Sequence, residues 1–439
     1  MAVTAHPARL RTSNPDYFIV AAVGVLVVMG LLAVYSSSFA LGLLEFGDAN
    51  YFVVRQVMFA VAGATAMWLL MKGDYRHLRL ISPLLMLAAI VGLFAVLMPG
   101  IGVERNGATR WVYLGGPIPP LQPSEFAKLA LIIYMAAWLA GRGDNIKTLW
   151  LGFFPCVLLV GFVAGLIMMQ PDFGTTVVIV LTTMTMVFVA GASLRHLAAF
   201  GGIAGVVAAM LVLSGDYRAD RIFAFTHAED DPSGRGFQTL QLLIALGSGG
   251  VKGLGLGASR QKFFYVPGAH TDGIFAIIGE EMGFIGSAVV IVLFAVLMAR
   301  GFRVVFRARD DFGSLLAIGI VSWVGYQALI NVGGITRTLP LTGIPLPFVS
   351  YGGSALLAML AGVGILLSVS RYGVDGKAAG GKPKPLDGAE AVVRGPKRRP
   401  PEGWGRLGDR GQGTGDRGAR GTGDRGARGA GNRAAKGAR

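Results

Sequence analysis

Ten stretches of about 20 predominantly apolar residues dominate the chain, near 17–41, 52–71, 79–98, 125–141, 149–169, 174–192, 196–214, 273–299, 313–332 and 349–370. Runs of this length match the ~30 Å hydrocarbon core of a bilayer, and they are continuous rather than alternating, so each predicts a spanning helix and not a barrel strand. Only 15% of the 439 residues are charged and 53% are hydrophobic, with a mean hydropathy of +0.58. That composition excludes a soluble globular chain and predicts an all-α integral membrane protein of about ten transmembrane helices. The least distinct boundary is "GASLRH", between the sixth and seventh runs. The single cysteine, Cys156, lies in an apolar run, so no intramolecular disulfide can form. The polar residues 1–16 lead directly into a full-length run, without the pattern of a cleavable signal.

Lysines and arginines in short loops orient such a chain. Arg9, Arg11, Lys72, Arg76, Arg79, Arg142, Lys147, Arg195, Arg300, Arg303, Arg307 and Arg309 all fall on one side, which is therefore expected to be cytoplasmic, with both termini. The opposite side receives the loops 42–51, 99–124, 170–173, 215–272 and 333–348. The expected organisation is a cytoplasmic segment 1–16, a membrane domain 17–372 with its large outer loop 215–272 between spans seven and eight, and a tail 373–439. The tail is Gly, Arg, Asp and Lys with almost no large apolar residue, and "GTGDRGAR" occurs in it twice, at 413–420 and 421–428. Such a segment cannot bury enough apolar area to fold and is expected to be disordered. It carries much of the net charge of +15, which suits attraction to anionic lipid headgroups. Nucleic acid is not an expected partner, because no aromatic residues are interleaved for stacking.

Outside the tail, the informative polar residues gather on the outer side. In "ERNGATRWVYLGGPIPPLQPSEFAK", 104–128, Ser124 can cap the fourth span, placing Glu125 in its first turn and Lys128 one turn deeper. Glu125 and Lys128 either form a local ion pair or, for Lys128, join Arg110 in a cationic phosphate site near the outer leaflet; Arg110 beside Trp111 also suits an interfacial anchor. In "QPDFGTT", 170–176, Asp172 most simply caps the sixth span. The glycines from 247 to 257 match neither G-x-x-x-x-G-K-[ST] nor G-x-G-x-x-G, which disfavours nucleotide binding. With their interspersed aliphatic residues they suggest a partly embedded segment closing over a groove.

The stretch "HTDGIFAIIGEEMGFIG", 270–286, sets Asp272 at the start of a span and Glu280 and Glu281 within it. Carboxylates in hydrocarbon either pair with a cation or carry function. Thr271 can cap this helix, which leaves Asp272 available. At 100° per residue Glu280 lies about 80° around from Asp272 and Glu281 about 180°, so the two cannot share its face. At least one is expected to pair with a buried cation such as Lys128. Asp272 and Glu280 would stand about 12 Å apart along the axis, too far for the carboxylate pair of an inverting glycosidase, so a hydrolase is the weaker alternative.

Five motifs, "RWVYLGGPIPPLQPSEFAKL", "QPDFGTT", "DPSGRGFQTLQ", "AHTDGIFAIIGEEMGFIG" and "LPLTGIPLPFVSYGGSALLA", together resemble the SEDS family of polytopic glycosyltransferases, typified by RodA, FtsW and SpoVE, over roughly residues 15–372. "DPSGRGFQTLQ" leans towards the FtsW branch. The resemblance implies peptidoglycan glycan-strand polymerisation from lipid II, with release of undecaprenyl pyrophosphate. It also implies a class B penicillin-binding protein as transpeptidase partner, alongside other membrane proteins of division or elongation. The family's essential outer aspartate falls on Asp272, its basic residues on Arg110 and Lys128, and its helix-start acid on Asp172. Gly268 and Gly273 stand where the family commonly has Glu and Phe, and are expected to loosen the chain around Asp272.

For such a reaction Asp272 is the expected general base. Arg110, Lys128, Arg221 and Lys262, in falling order, are the candidates for pyrophosphate binding, and Asp172, Glu125, Glu280 and Glu281 are supporting acids. No cofactor is required outright; a divalent cation, Mg²⁺ or Mn²⁺, is the one the chemistry leaves open. Two readings of other classes remain: a flippase for lipid-linked precursor, and a non-catalytic scaffold for the transpeptidase. The position of Asp272 at the outer surface favours an enzyme over the flippase.

Overall fold

The computed structural model describes residues 13–373 except 106, 114, 116–118, 214, 215 and 264. The polar residues 1–12 and the tail from 374, expected to be disordered, lie outside the described residues.

Each of the ten apolar runs is a helix: α1 Tyr17–Phe46, α2 Tyr51–Lys72, α3 His77–Leu97, α4 Pro123–Ala140, α5 Phe154–Met168, α6 Phe173–Val189, α7 Leu194–Leu213, then two short helices in the long loop that follows, α8 Asp216–Thr226 and α9 Phe237–Ser248, followed by α10 Ile274–Arg307, α11 Asp311–Ile335 and α12 Gly353–Arg371. Seven of these (α1–α4 and α10–α12) are long and apolar enough to cross a membrane by length and composition. The helices α5 and α6 are shorter, and a π-helical turn, Leu149–Phe153, leads into α5. The segment between α6 and α7 turns through Gly191 at φ 91°, which fixes the boundary that "GASLRH" left indistinct.

Burial divides the bundle. In the most apolar window of α11, 78% of residues are buried, against 17% in α2, so α11 is a central post and α2 a peripheral one. α11 packs against α4, α6, α10 and α12, while α2 packs against α1 and α12. The outward faces of α1, α2 and α3 carry exposed Val28, Leu32, Val61, Leu69, Leu84 and Val91, which suits contact with lipid tails.

Two local starts differ from expectation. α4 begins two residues early, with Pro123 in its first turn and Gln122 at the cap position, so Ser124 is not the cap. Proline's fixed φ and missing amide suit that first position. The loop before α4 also contains an antiparallel hairpin, β1 Gly102–Arg105 and β2 Ala108–Val112, whose register shifts at a bulge between Val103 and Glu104.

α10 is two helical pieces joined at Gly283, whose φ of 67° and ψ of −163° no side-chain-bearing residue adopts easily. Such a break strips backbone groups of their partners inside a membrane domain, and each must be satisfied elsewhere. The glycine segment before it does this. Leu254 and Gly255 amides donate to the Glu280 and Glu281 carbonyls at 2.9 and 3.0 Å, and the Phe284 and Ile285 amides donate to Gly250 and Val251 carbonyls at 2.8 and 3.2 Å. A Cβ on Gly253 would collide with the Glu281 carbonyl, so the glycines serve close backbone approach rather than phosphate binding.

Candidate active site

Asp272 sits in the turn that delivers the chain into α10. The Gly268 carbonyl is the hub of that turn: it accepts the Thr271 amide at 2.9 Å, the Gly273 amide at 3.0 Å and the Thr271 hydroxyl at 3.1 Å. Gly268 has φ 67°, and a Cβ there would collide with Asp272 Oδ1. The expectation that Gly268 and Gly273 loosen the chain is therefore corrected, because both take part in a hydrogen-bonded turn. Thr271 does not cap α10; its hydroxyl donates to the Gly268 carbonyl and to Asp272 Oδ1 at 3.0 Å, and Gly273 occupies the cap position without a side-chain bond.

Behind the turn stands α11. Asn331 Nδ2 donates to the Asp272 carbonyl at 2.9 Å and to the Ile344 carbonyl at 2.8 Å. One turn earlier, Gln327 Nε2 donates to the Pro345 carbonyl at 3.0 Å. Residues four apart share a helix face, so two amides on one post grip consecutive carbonyls of "TGIPLP". Just before that segment, the Leu341 carbonyl accepts from the guanidinium of Arg221 of α8 at 2.7 Å. A Cβ on Gly343 would lie 3.2 Å from the Arg221 guanidinium and 3.6 Å from Asp272 Oδ2, so this glycine leaves the space between acid and cation clear. Gln327 and Asn331 were not selected from the sequence; their signal was two carboxamides at helical spacing in an otherwise apolar span.

Burial pushes the Asp272 carboxyl above its usual range, against the Thr271 hydroxyl, the amides of Asp272 and Gly273 and the charge of Arg221, which favour the carboxylate. Burial drives His270, its near neighbour, down to about 4, so the ring is neutral at pH 7. His270 packs between Phe52 and Tyr351, and its carbonyl accepts the Tyr351 amide at 2.9 Å, which anchors the turn to α2 and to the segment entering α12.

The other expected residues divide. Arg110, on β2, donates from Nε to the Gln170 carbonyl at 3.1 Å and from its terminal nitrogen to the Pro171 carbonyl, bracing the outer turn before α6. Asp172 caps α6, accepting the Thr175 amide at 3.1 Å. Lys128 is fully buried against α11: Nζ lies 2.8 Å from Glu125 and 3.0 Å from Gln327 Oε1, and the Trp323 ring covers it at 5.3 Å. The expectation that Lys128 pairs with Glu280 or Glu281 is corrected, since Glu125 on its own helix takes it. Glu281 instead pairs with Lys262 at 3.0 Å, with Ser36 of α1 donating to the same oxygen at 2.6 Å. Glu280 accepts the Ser259 hydroxyl and the Arg260 and Gln261 amides. Both glutamates thus hold the glycine-rich loop onto α10. Lys262, with its side chain 1% exposed, is taken by that pair rather than presented to a ligand.

Among the described residues no group of three or more His, Cys, Asp or Glu is placed to hold a metal ion. A single carboxylate facing a guanidinium is a poor donor set for a divalent cation.

The profile of the FtsW/RodA/SpoVE family, described as cell cycle proteins, matches residues 17–374. The chain belongs to the SEDS family. Stage V sporulation protein E of Bacillus subtilis is 45% identical over 364 residues, covering 82% of this chain and 98% of that protein. A probable peptidoglycan glycosyltransferase FtsW of Trichlorobacter lovleyi is 40% identical over 381 residues, covering 87% and 97%. Among solved structures, a chain of a peptidoglycan synthase complex that coordinates polymerization and crosslinking aligns with a TM-score of 0.67 at 30% identity, covering 81% of this chain and 98% of that one. The rod shape determining protein RodA of Thermus thermophilus aligns at 0.61 and 29%, covering 84% and 100%. This SEDS chain is thus a multi-pass membrane protein with the helical fold of RodA.

Proposed function

We propose that this SEDS protein polymerises peptidoglycan glycan strands from lipid II in the outer leaflet, with Asp272 as general base. The observation that carries the reading is the carboxylate of Asp272, locked by Gly268, Thr271 and Asn331 at an outer helix start and facing the cation of Arg221 across Gly343. Glycosyl transfer needs such a pair. Asp272 takes the proton from the attacking sugar hydroxyl as its oxygen bonds to the anomeric carbon. The bond from that carbon to the pyrophosphate oxygen breaks, and the electron pair leaves with undecaprenyl pyrophosphate. One displacement inverts the anomeric centre. A base of raised pKa is better matched to a hydroxyl proton than an ordinary carboxylate.

Arg221 is the cation nearest this chemistry and the residue we assign to the developing pyrophosphate charge. Arg110 supports the site by bracing the turn before α6. Lys128 and Lys262 are withdrawn from pyrophosphate binding, because each is enclosed in a buried ion pair. Both termini and the arginine-rich ends of α3 and α10 face the cytoplasm in this reading, and a class B penicillin-binding protein is the partner.

The test is reconstitution of the full chain with its cognate class B penicillin-binding protein, transpeptidation blocked, on labelled lipid II. Growth of a glycan ladder supports the reading. Transfer of lipid II between leaflets without polymer would replace it with the flippase, and neither activity would leave a scaffold.

A further inference from the structure

At the end of the bundle opposite Asp272, a cavity of 260 Å³ opens beside the last two turns of α10. Its lining includes Ser13, Asp16, Phe18, Arg300, Arg303 and Arg307. At 100° per residue, positions 300, 303 and 307 fall within about 60° of one another, so three guanidinium groups share one face. Asp16 is the only carboxylate among the lining residues, and it is committed: Arg300 grips it at 2.8–3.1 Å while stacking 4.4 Å over Phe18. The Asp16 amide donates to Ser370 Oγ at 3.3 Å, which fixes the wall of the cavity to α12. Arg303 and Arg307 are exposed and have no carboxylate partner among the described residues. A positive charge in the last turn of a helix complements its dipole, which accounts for Arg307 but not for a walled cavity facing two unneutralised arginines.

What surrounds the charge indicates the occupant. Phe18 is 62% exposed, and Phe302 and Phe306, adjacent in sequence to the two arginines, are 43% and 80% exposed. Large apolar side chains exposed at the end of a spanning helix suit contact with lipid rather than water. The volume lies below the ~300–1,000 Å³ of drug-sized sites, which suits a headgroup rather than a nucleotide.

We infer that this recess binds the phosphodiester headgroup of an anionic phospholipid of the inner leaflet, with Arg303 and Arg307 on the phosphate and the acyl chains lying along the Phe302 and Phe306 side of α10. The leaflet follows from the orientation proposed above; the site is independent of the role of Asp272. A basic residue near a membrane surface contributes about five-fold in affinity for anionic lipid, so the two arginines together contribute about 25-fold.

The experiment is titration of the full chain in phosphatidylcholine nanodiscs with phosphatidylglycerol, read by native mass spectrometry, for wild type, Arg303→Gln/Arg307→Gln and Arg142→Gln. Arg142 lies at the same end outside the recess, and the tail is common to all three. Thermal unfolding confirms that each is folded, and Arg303→Gln alone replaces the double variant should that one unfold. The expected result is tight phosphatidylglycerol binding in wild type and Arg142→Gln, about 25-fold weaker in the double variant and about five-fold weaker in the single one. Equal binding in all three, or an equal loss in Arg142→Gln, overturns the site in favour of diffuse surface charge. Displacement by millimolar inorganic phosphate assigns it to the free anion and overturns the lipid.

Discussion

Replacing Lys262 by methionine removes the cation from the buried cluster that ties the glycine-rich loop to α1 and α10. Lys262 Nζ donates to Glu281 at 3.0 Å, Ser36 at 3.1 Å and the Gly257 carbonyl at 2.6 Å. Without it, the Glu281 carboxylate, 4% exposed, keeps only the Ser36 hydroxyl and a Ser259 amide at 3.4 Å. Breaking a buried pair on one side costs about 3–5 kcal/mol, because the remaining charge is left in low dielectric. The loss should be local, since the loop is joined to α10 through the Gly283 break. Hydrogen exchange at the Leu254 and Gly255 amides is the direct readout. Opening free energies lower by that amount correspond to exchange faster by about 10²–10⁴. Glu281→Gln added to Lys262→Met removes the stranded charge and should recover part of the protection. Unchanged exchange in the single variant, or a double variant no better protected than the single, would refute the assignment of Lys262 to this lock.

Three further outcomes follow from the geometry. Asn331→Leu leaves the Asp272 and Ile344 carbonyls without their donor, and a shift of the acid by about 1 Å should lower kcat by roughly 10²-fold. KM for lipid II should change far less in the same steady-state assay. Arg221→Gln removes a charge that favours the Asp272 carboxylate, so the acid's pKa rises further. The base is active when deprotonated, so the acidic limb of the pH–rate profile must move to higher pH; a shift to lower pH or none contradicts the pairing. Gly253→Val drives a side chain into the Glu281 carbonyl, and reduced thermal stability with loss of the Leu254 and Gly255 protection is expected.

Hydropathy located a helix in each of the ten apolar runs, seven of them long and apolar enough to cross a membrane, because bilayer thickness and residue rise fix the length of an apolar run. Asp272 was legible as well, since a carboxylate at the mouth of a span stands out against its neighbours. Partners were less legible. Lys128 and Glu281 are both buried ions, but which cation meets which acid depends on how α4, α10 and the outer loop pack, and no local pattern encodes that. The break at Gly283 was hidden because one glycine among "GEEMGFIG" looks like ordinary small-residue packing. Its cause lies some thirty residues upstream, in the glycines that supply the missing hydrogen bonds. Gln327 and Asn331 are inconspicuous for a similar reason: an uncharged amide in a span calls for no counter-ion, yet both organise the segment that faces Asp272. Gly268 misled in the opposite direction, suggesting slack where its carbonyl collects three donors.

The most direct measurement is lipid II polymerisation by Asp272→Asn beside wild type, each reconstituted with the partner transpeptidase in its inactive form and each verified as folded and partner-bound. Asparagine keeps the size of the side chain and cannot accept the proton, so polymerisation should fall by about 10²–10⁴-fold. Polymerisation at the wild-type rate by the asparagine variant would contradict the assignment of Asp272 as the base.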